Sequence, residues 1–168
     1  YTPVGPGTRG GLEAAMDVIL VGPGRAGLAV SLALVGAGHR IIGGLARRRE
    51  GLQAASATLP GAPWLEWHEP LPATDLLVVA TADGAIHEVA ERLAPYAGAV
   101  RGAIHLSGLT SVDALFPLAG GCPIGSFHPL QTLPNPRDGR DRLRGAWVGG
   151  CGSCYAGERV VPPSRCPT

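Results

Sequence analysis

The sequence predicts a doubly wound α/β fold, a mostly parallel sheet covered by helices on both faces. Three observations carry that expectation. The continuous apolar run "DLLVVA" at residues 75–80 suits a strand buried between two layers. A glycine loop, "VGPGRAG" at residues 21–27, stands between an apolar strand pattern and a helical one. Strand-like and helix-like segments then alternate along the chain, which argues for right-handed crossovers.

The elements follow in order. Residues 1–15 carry Gly, Pro and Thr without apolar period and read as a disordered leader, so the domain is expected to span 16–150. Residues 18–21 form the first strand; Leu28, Leu32 and Val35 fall at helical spacing, and Gly36 and Gly38 can end that helix. "HRIIGGL" at 39–45 reads as the second strand. A third, at 64–67, is kept short by Pro63 and Pro70. After the run at 75–80, Ile86, Val89, Ala90 and Leu93 make one helical stripe, with Glu88, Glu91 and Arg92 off it. A strand ending at Leu106, a helical stretch over 112–119 disturbed by Pro117, and a strand near 123–127 complete the pattern, with His128 in the loop beyond.

Composition narrows the function. At 168 residues and 45% apolar content the chain can bury one core. A formal charge of +1 without blocks of like charge implies neither a nucleic-acid nor a membrane partner, and a small molecule is the expected one. All 14 basic residues are Arg, which removes lysine from the possible catalytic groups. With no apolar run near the roughly 20 residues of a membrane span, a cytoplasmic location is expected. Cys151, Cys154 and Cys166 cluster after residue 150 and leave Cys122 alone, so no disulfide framework is expected for the core.

With 26 glycines in the chain, a bare G-x-G match means little, and its context decides. Gly22, Gly24 and Gly27 lie between strand and helix at the start of a β-α-β unit, where each has a task. Gly22 permits the tight turn, Gly24 lets backbone approach a pyrophosphate, and Gly27 lets the helix pack on the strand. Pro23, Arg25 and Ala26 complete the loop, whose amides and helix dipole face the phosphates. About 20 residues on, an NAD site usually has an acid that grips the ribose 2′-OH. Here "GLARRR" puts Arg47 and Arg48 there instead. A guanidinium matches a 2′-phosphate, so NADP is favoured over NAD; the alternative is that these arginines form a solvated face.

Together with "DLLVVATADGAI", "AIHLSG" and "GSFHPLQTL", the glycine loop resembles bacterial Rossmann-like oxidoreductases assigned as NADP-dependent reductases, which pair this domain with a C-terminal helical domain of unknown function. Those proteins are similar to ketopantoate reductases, pyrroline-carboxylate reductases and deazaflavin-dependent NADP reductases. The resemblance covers residues 17–149 and implies hydride transfer between NADP and a small carbonyl or imine substrate, a 2-oxo acid among the options. In that family the helical domain makes a homodimer and closes the substrate cleft. Residues 151–168 show no helical period and read as an irregular tail in its place. A dinucleotide-binding module without turnover, or an inactive fragment, is the competing reading.

Ligands in such sheets lie beyond the carboxyl ends of the strands. That rule selects Thr81 and Asp83 beside the nicotinamide ribose, although Asp83 reads better as a helix N-cap. It also selects His105 and Ser107 after the next strand. His105 and His128 are the candidate acid-base residues, because an imidazole can hand a proton to the alkoxide or amine formed as hydride arrives. Each could equally be a structural histidine. Ser107 and Gln131 could orient a carbonyl or carboxylate. "CGSC" at 151–154 has redox or zinc spacing but lacks a strand-to-helix join or a fourth ligand, so no metal site is expected.

Overall fold

A computed structural model describes residues 14–47, 49–153, 155–156 and 159–160. Six strands form one sheet: β1 (Asp17–Val21), β2 (Arg40–Leu45), β3 (Leu76–Val79), β4 (Ala103–His105), β5 (Ile124–Pro129) and β6 (Val148–Ser153). Their order is β2-β1-β3-β4-β5-β6. The first five run parallel and β6 closes the edge antiparallel to β5. Helices α1 (Arg25–Gly36), α2 (Arg49–Thr58), α3 (Ile86–Leu93) and α4 (Pro136–Arg142) complete the doubly wound α/β architecture expected from the sequence.

Strands β1 and β3 divide their side chains between two cores, which is why both read as unbroken apolar runs. Ile19, Val21, Leu77 and Val79 face Ile86, Ala90 and Leu93 of α3. Val18, Leu20 and Val78 face Leu28 and Val30 of α1 on the other side. The start of β1 is pinned by Asp75, whose carboxylate accepts from the Asp17 amide at 2.9 Å and from Arg101 at 2.9 Å. Those two donors hold its pKa below the ordinary carboxylate value.

Several boundaries differ from the sequence reading. The short third strand expected at 64–67 is a single parallel bridge, Gly44 to Trp64, because the Trp64 indole lies where a side chain on Gly44 would stand. Between β2 and that bridge runs α2, unforeseen because "REGLQAASAT" contains one large apolar residue. Helix α4 was also missed. It starts at Pro136 with Asn135 accepting the Asp138 amide, and Gly139 lets it approach α1 so closely that an added Cβ would fall 2.8 Å from Ala29 Cβ. The stretch containing Pro117 winds as a 3-10 helix over Val112–Leu118. Pro117 cannot donate a backbone hydrogen bond.

The expected boundary at residue 150 falls inside β6, which continues to Ser153 in register with Ile124. Tyr155–Ala156 and Arg159–Val160 then pair antiparallel, so the described part of the tail is not irregular. Residues 1–13 of the expected leader lie outside the described residues, as does Cys154 of "CGSC".

Candidate functional site

The first crossover builds the site from three glycines with three different constraints. Gly22 has φ +89°, and a Cβ there would meet the Ala80 and Thr81 backbone at 2.9 Å. Only glycine takes that turn without strain. At Gly27 a Cβ would stand 2.6 Å from the Gly22 carbonyl oxygen and 2.8 Å from Ala80 Cβ, so helix and strand are in backbone contact. Gly24 is the opposite case. Its φ of −79° suits any residue, and no atom lies within 4 Å of the added Cβ. Among the described residues no packing contact requires glycine at position 24.

That open space belongs to a cavity of about 590 Å³ at the carboxyl ends of β1, β2 and β3. It takes in Gly22, Pro23, Gly24, Arg47 and Thr81 of the residues selected from the sequence. The start of α1 faces it with no side-chain cap and no acid in the first turn. The amides of a first helical turn have no acceptor within their own helix, and the dipole adds positive potential there. The Thr81 hydroxyl is buried without a hydrogen-bond partner among the described residues, a cost of about 1–3 kcal/mol unless a ligand supplies one. Among the described residues no carboxylate pairs with Arg47. Arg48 lies outside the described residues.

Other selected residues stand elsewhere. Arg25 is exposed and Ala26 half-buried on α1, and neither lines the cavity with its neighbour Gly24. Asp83 opens the 3-10 turn Asp83–Ala85 but caps nothing: Ala82 and Ala85 hold the N-cap positions, and neither has a capping side chain. This corrects the expected role of Asp83.

The carboxyl ends of β4 and β5 bring "HLSG" and "SFHP" together. His128 belongs to β5 itself rather than to a loop, which also corrects the sequence reading. Its ring fills the place a Cβ on Gly108 would take, 2.5 Å from Nε2 and 2.6 Å from Cδ2. Its Nδ1 is 3.3 Å from the Leu106 carbonyl oxygen. A carbonyl oxygen only accepts, so Nδ1 carries a proton and Nε2 is the nitrogen through which a proton can enter or leave.

His105 is fully buried. Its Nδ1 accepts the Ser107 amide at 3.2 Å, which places the proton on Nε2, and Nε2 has no hydrogen-bond partner among the described residues. Burial pushes its pKa below the ordinary 6.5, against weaker upward pulls from the Ser111 main chain and the Asp83 carboxylate. Ser107 is committed to its own loop: its hydroxyl donates to Thr110 Oγ1 at 2.9 Å and accepts the Leu109 and Thr110 amides. Gln131 is exposed and accepts the amide of Thr132, its neighbour. Both side chains thus have hydrogen-bond partners within their own loops.

Sequence reasoning passed over Trp67, Ala85, Glu88, Val89 and Arg92, which form the far side of the cavity. Glu88 and Arg92 were legible only as the polar face of a helix. Nothing local marks Trp67, whose indole N–H donates to the Ala46 carbonyl at 3.0 Å across the end of β2.

Residues 4–129 match the family model of the Rossmann-like domain. The chain belongs to that Rossmann-like family. The Rossmann-like sheet is similar to solved structures at low identity, a likeness of fold. An NADP oxidoreductase, so assigned, from Bacteroides fragilis shares 21% identity at TM-score 0.62, over 72% of this chain and 46% of that one. Pyrroline-5-carboxylate reductase from Coxiella burnetii shares 16% at TM-score 0.59, over 70% and 45%. Prephenate dehydrogenase from Aquifex aeolicus, solved with NAD+ and hydroxyphenyl propionate, shares 14% at TM-score 0.55, over 71% and 43%. The chain thus spans less than half the length of these three proteins. No curated protein matches it significantly. No described helix is long and apolar enough to cross a membrane.

Proposed function

We propose that this Rossmann-like domain binds a nicotinamide dinucleotide, with NADP preferred, and serves an oxidoreductase that acts on a small carbonyl or imine compound. The single observation that carries the reading is Gly24, a glycine that no packing contact among the described residues requires, at the mouth of a cavity and beside uncapped helix amides. A pyrophosphate fits that combination, since it needs close backbone approach, N–H donors and positive potential. Arg47 at the end of β2 supplies a guanidinium with no carboxylate partner among the described residues where a ribose 2′-phosphate would lie, and the Thr81 hydroxyl, likewise without a partner among them, supplies a donor and an acceptor.

When bound, the nicotinamide ring supplies the hydride. The protein's part is to hold the dinucleotide across β1 to β3 and to bring a proton to the oxygen or nitrogen that receives the hydride. His128 suits that second task through Nε2, with the Leu106 carbonyl fixing the ring's tautomer. His105 serves as a neutral structural histidine. A second reading rests on Glu88, the one carboxylate lining the cavity among the described residues. If it accepts from a ribose 2′-OH, NAD is preferred.

The test is NADPH and NADH binding by calorimetry, followed by oxidation with a panel of oxo acids and imines. Saturable binding tighter for NADPH, with turnover on at least one compound, is expected. Absence of binding for either nucleotide would overturn the reading, and binding without turnover on any compound would leave a nucleotide-binding module.

A further inference from the structure

The far wall of the cavity contains a pair that the sequence does not bring together. Trp67 comes from the irregular stretch between α2 and β3, and Arg92 from the last turn of α3. The Arg92 guanidinium carbon lies 4.3 Å from the centre of the Trp67 ring, a cation–π contact. Trp67 is itself tied to the end of β2 through its hydrogen bond to Ala46, the residue before Arg47. A short physical chain, Arg47–Ala46 to Trp67 to Arg92, therefore fixes two guanidinium-bearing residues around one cavity. Neither has a carboxylate partner among the described residues, whereas Arg40, Arg101 and Arg140 are all paired.

Two guanidiniums around one cavity, neither paired with a carboxylate among the described residues, make a receptor for a doubly charged anion, and a flat indole beneath one of them suits a purine nearby. We infer that Arg92, held on Trp67, is the second phosphate-reading residue of the site and, with Arg47, selects an adenosine 2′-phosphate. This rests on the nucleotide reading above and adds to it a residue outside the glycine loop and the "ARR" segment. The stacked geometry matters because it removes rotamer freedom before binding, so less entropy is lost when the phosphate arrives. Glu88, one turn ahead on the same helix, makes no ion pair with Arg92, and Glu91 pairs with His87 instead.

The experiment titrates the full chain with 2′,5′-ADP and with 5′-AMP, following both heat and tryptophan fluorescence. The native chain is expected to bind 2′,5′-ADP about tenfold or more tightly than 5′-AMP, with quenching that disappears in Trp67→Phe. Arg92→Gln, an exposed change that leaves the core intact, should lower 2′,5′-ADP affinity about tenfold and 5′-AMP affinity less than about twofold. Equal losses for both nucleotides, no loss for either, or tighter binding of 5′-AMP by the native chain would overturn the inference while leaving a nucleotide site. Failure of both nucleotides to bind the native chain would remove the nucleotide reading, and this inference with it.

Discussion

The two ends of the sheet's carboxyl edge treat polar groups in opposite ways. Around the first crossover, donors are left over among the described residues: helix amides without a side-chain cap, a Thr81 hydroxyl without a partner and an Arg47 without a carboxylate. At β4 and β5 the same kinds of group are mostly spent inside the protein, with Ser107 holding three bonds in its own loop and His105 receiving the Ser107 amide. Spare hydrogen-bonding capacity beside a cavity indicates a ligand, because an unused buried donor costs free energy in its absence. Satisfied capacity indicates a role in the fold. Among the described residues Nε2 of His105 and Nε2 of His128 are both left without a partner at the β4–β5 end, but His105 is fully buried and only the His128 ring is partly exposed.

The largest effect that could break this contrast is expected at Gly27. Gly27→Ala should cost about 3 kcal/mol through overpacking against Gly22 and Ala80, a fall in thermal midpoint of roughly 6 to 12 °C. Gly24→Ala should leave stability within about 0.5 kcal/mol yet weaken dinucleotide binding by about tenfold or more. Matched thermal melts and calorimetry on the two variants separate the constraint of packing from that of a ligand. Comparable destabilisation by both would mean Gly24 is structural.

At the β4–β5 end, His128→Gln should reduce turnover about 10²-fold if Nε2 moves the proton, with dinucleotide affinity unchanged. Gly108→Ala should produce a large part of the same loss by displacing the ring. Steady-state kinetics on an identified substrate checks both, and retained turnover in His128→Gln contradicts the assignment.

The smallest effect concerns His105. Its folded pKa lies below the unfolded value of 6.5, so the unfolded chain binds more protons between the two. Its contribution to stability is complete above pH 6.5 and is lost as pH falls towards the folded value. Denaturant unfolding across pH 7 to pH 5 should show that decline in the native chain and a flatter profile in His105→Leu. An identical slope in both would remove the burial argument.

The fold was legible because its strongest signals are local. A doubly buried strand such as β3 is apolar without interruption, and the α3 stripe at Ile86, Val89, Ala90 and Leu93 repeats at helical spacing. Elements held by tertiary contact were not legible: α2 offers few apolar residues, and α4 depends on Gly139 meeting Ala29. The same division holds at the site. The glycine loop announces itself within seven residues, whereas Trp67 and Arg92 meet only in space. His105 and His128 occupy equivalent-looking motifs, and only burial and hydrogen bonding tell them apart.

On this reading the α1 start holds the pyrophosphate of a dinucleotide. Backbone amide NMR during titration with NADP reads those amides one by one. Saturable shifts are expected, largest at Gly24, Arg25, Ala26 and Gly27, with a second set at Arg47 and Thr81. Shifts centred elsewhere, or none that saturate, would contradict it.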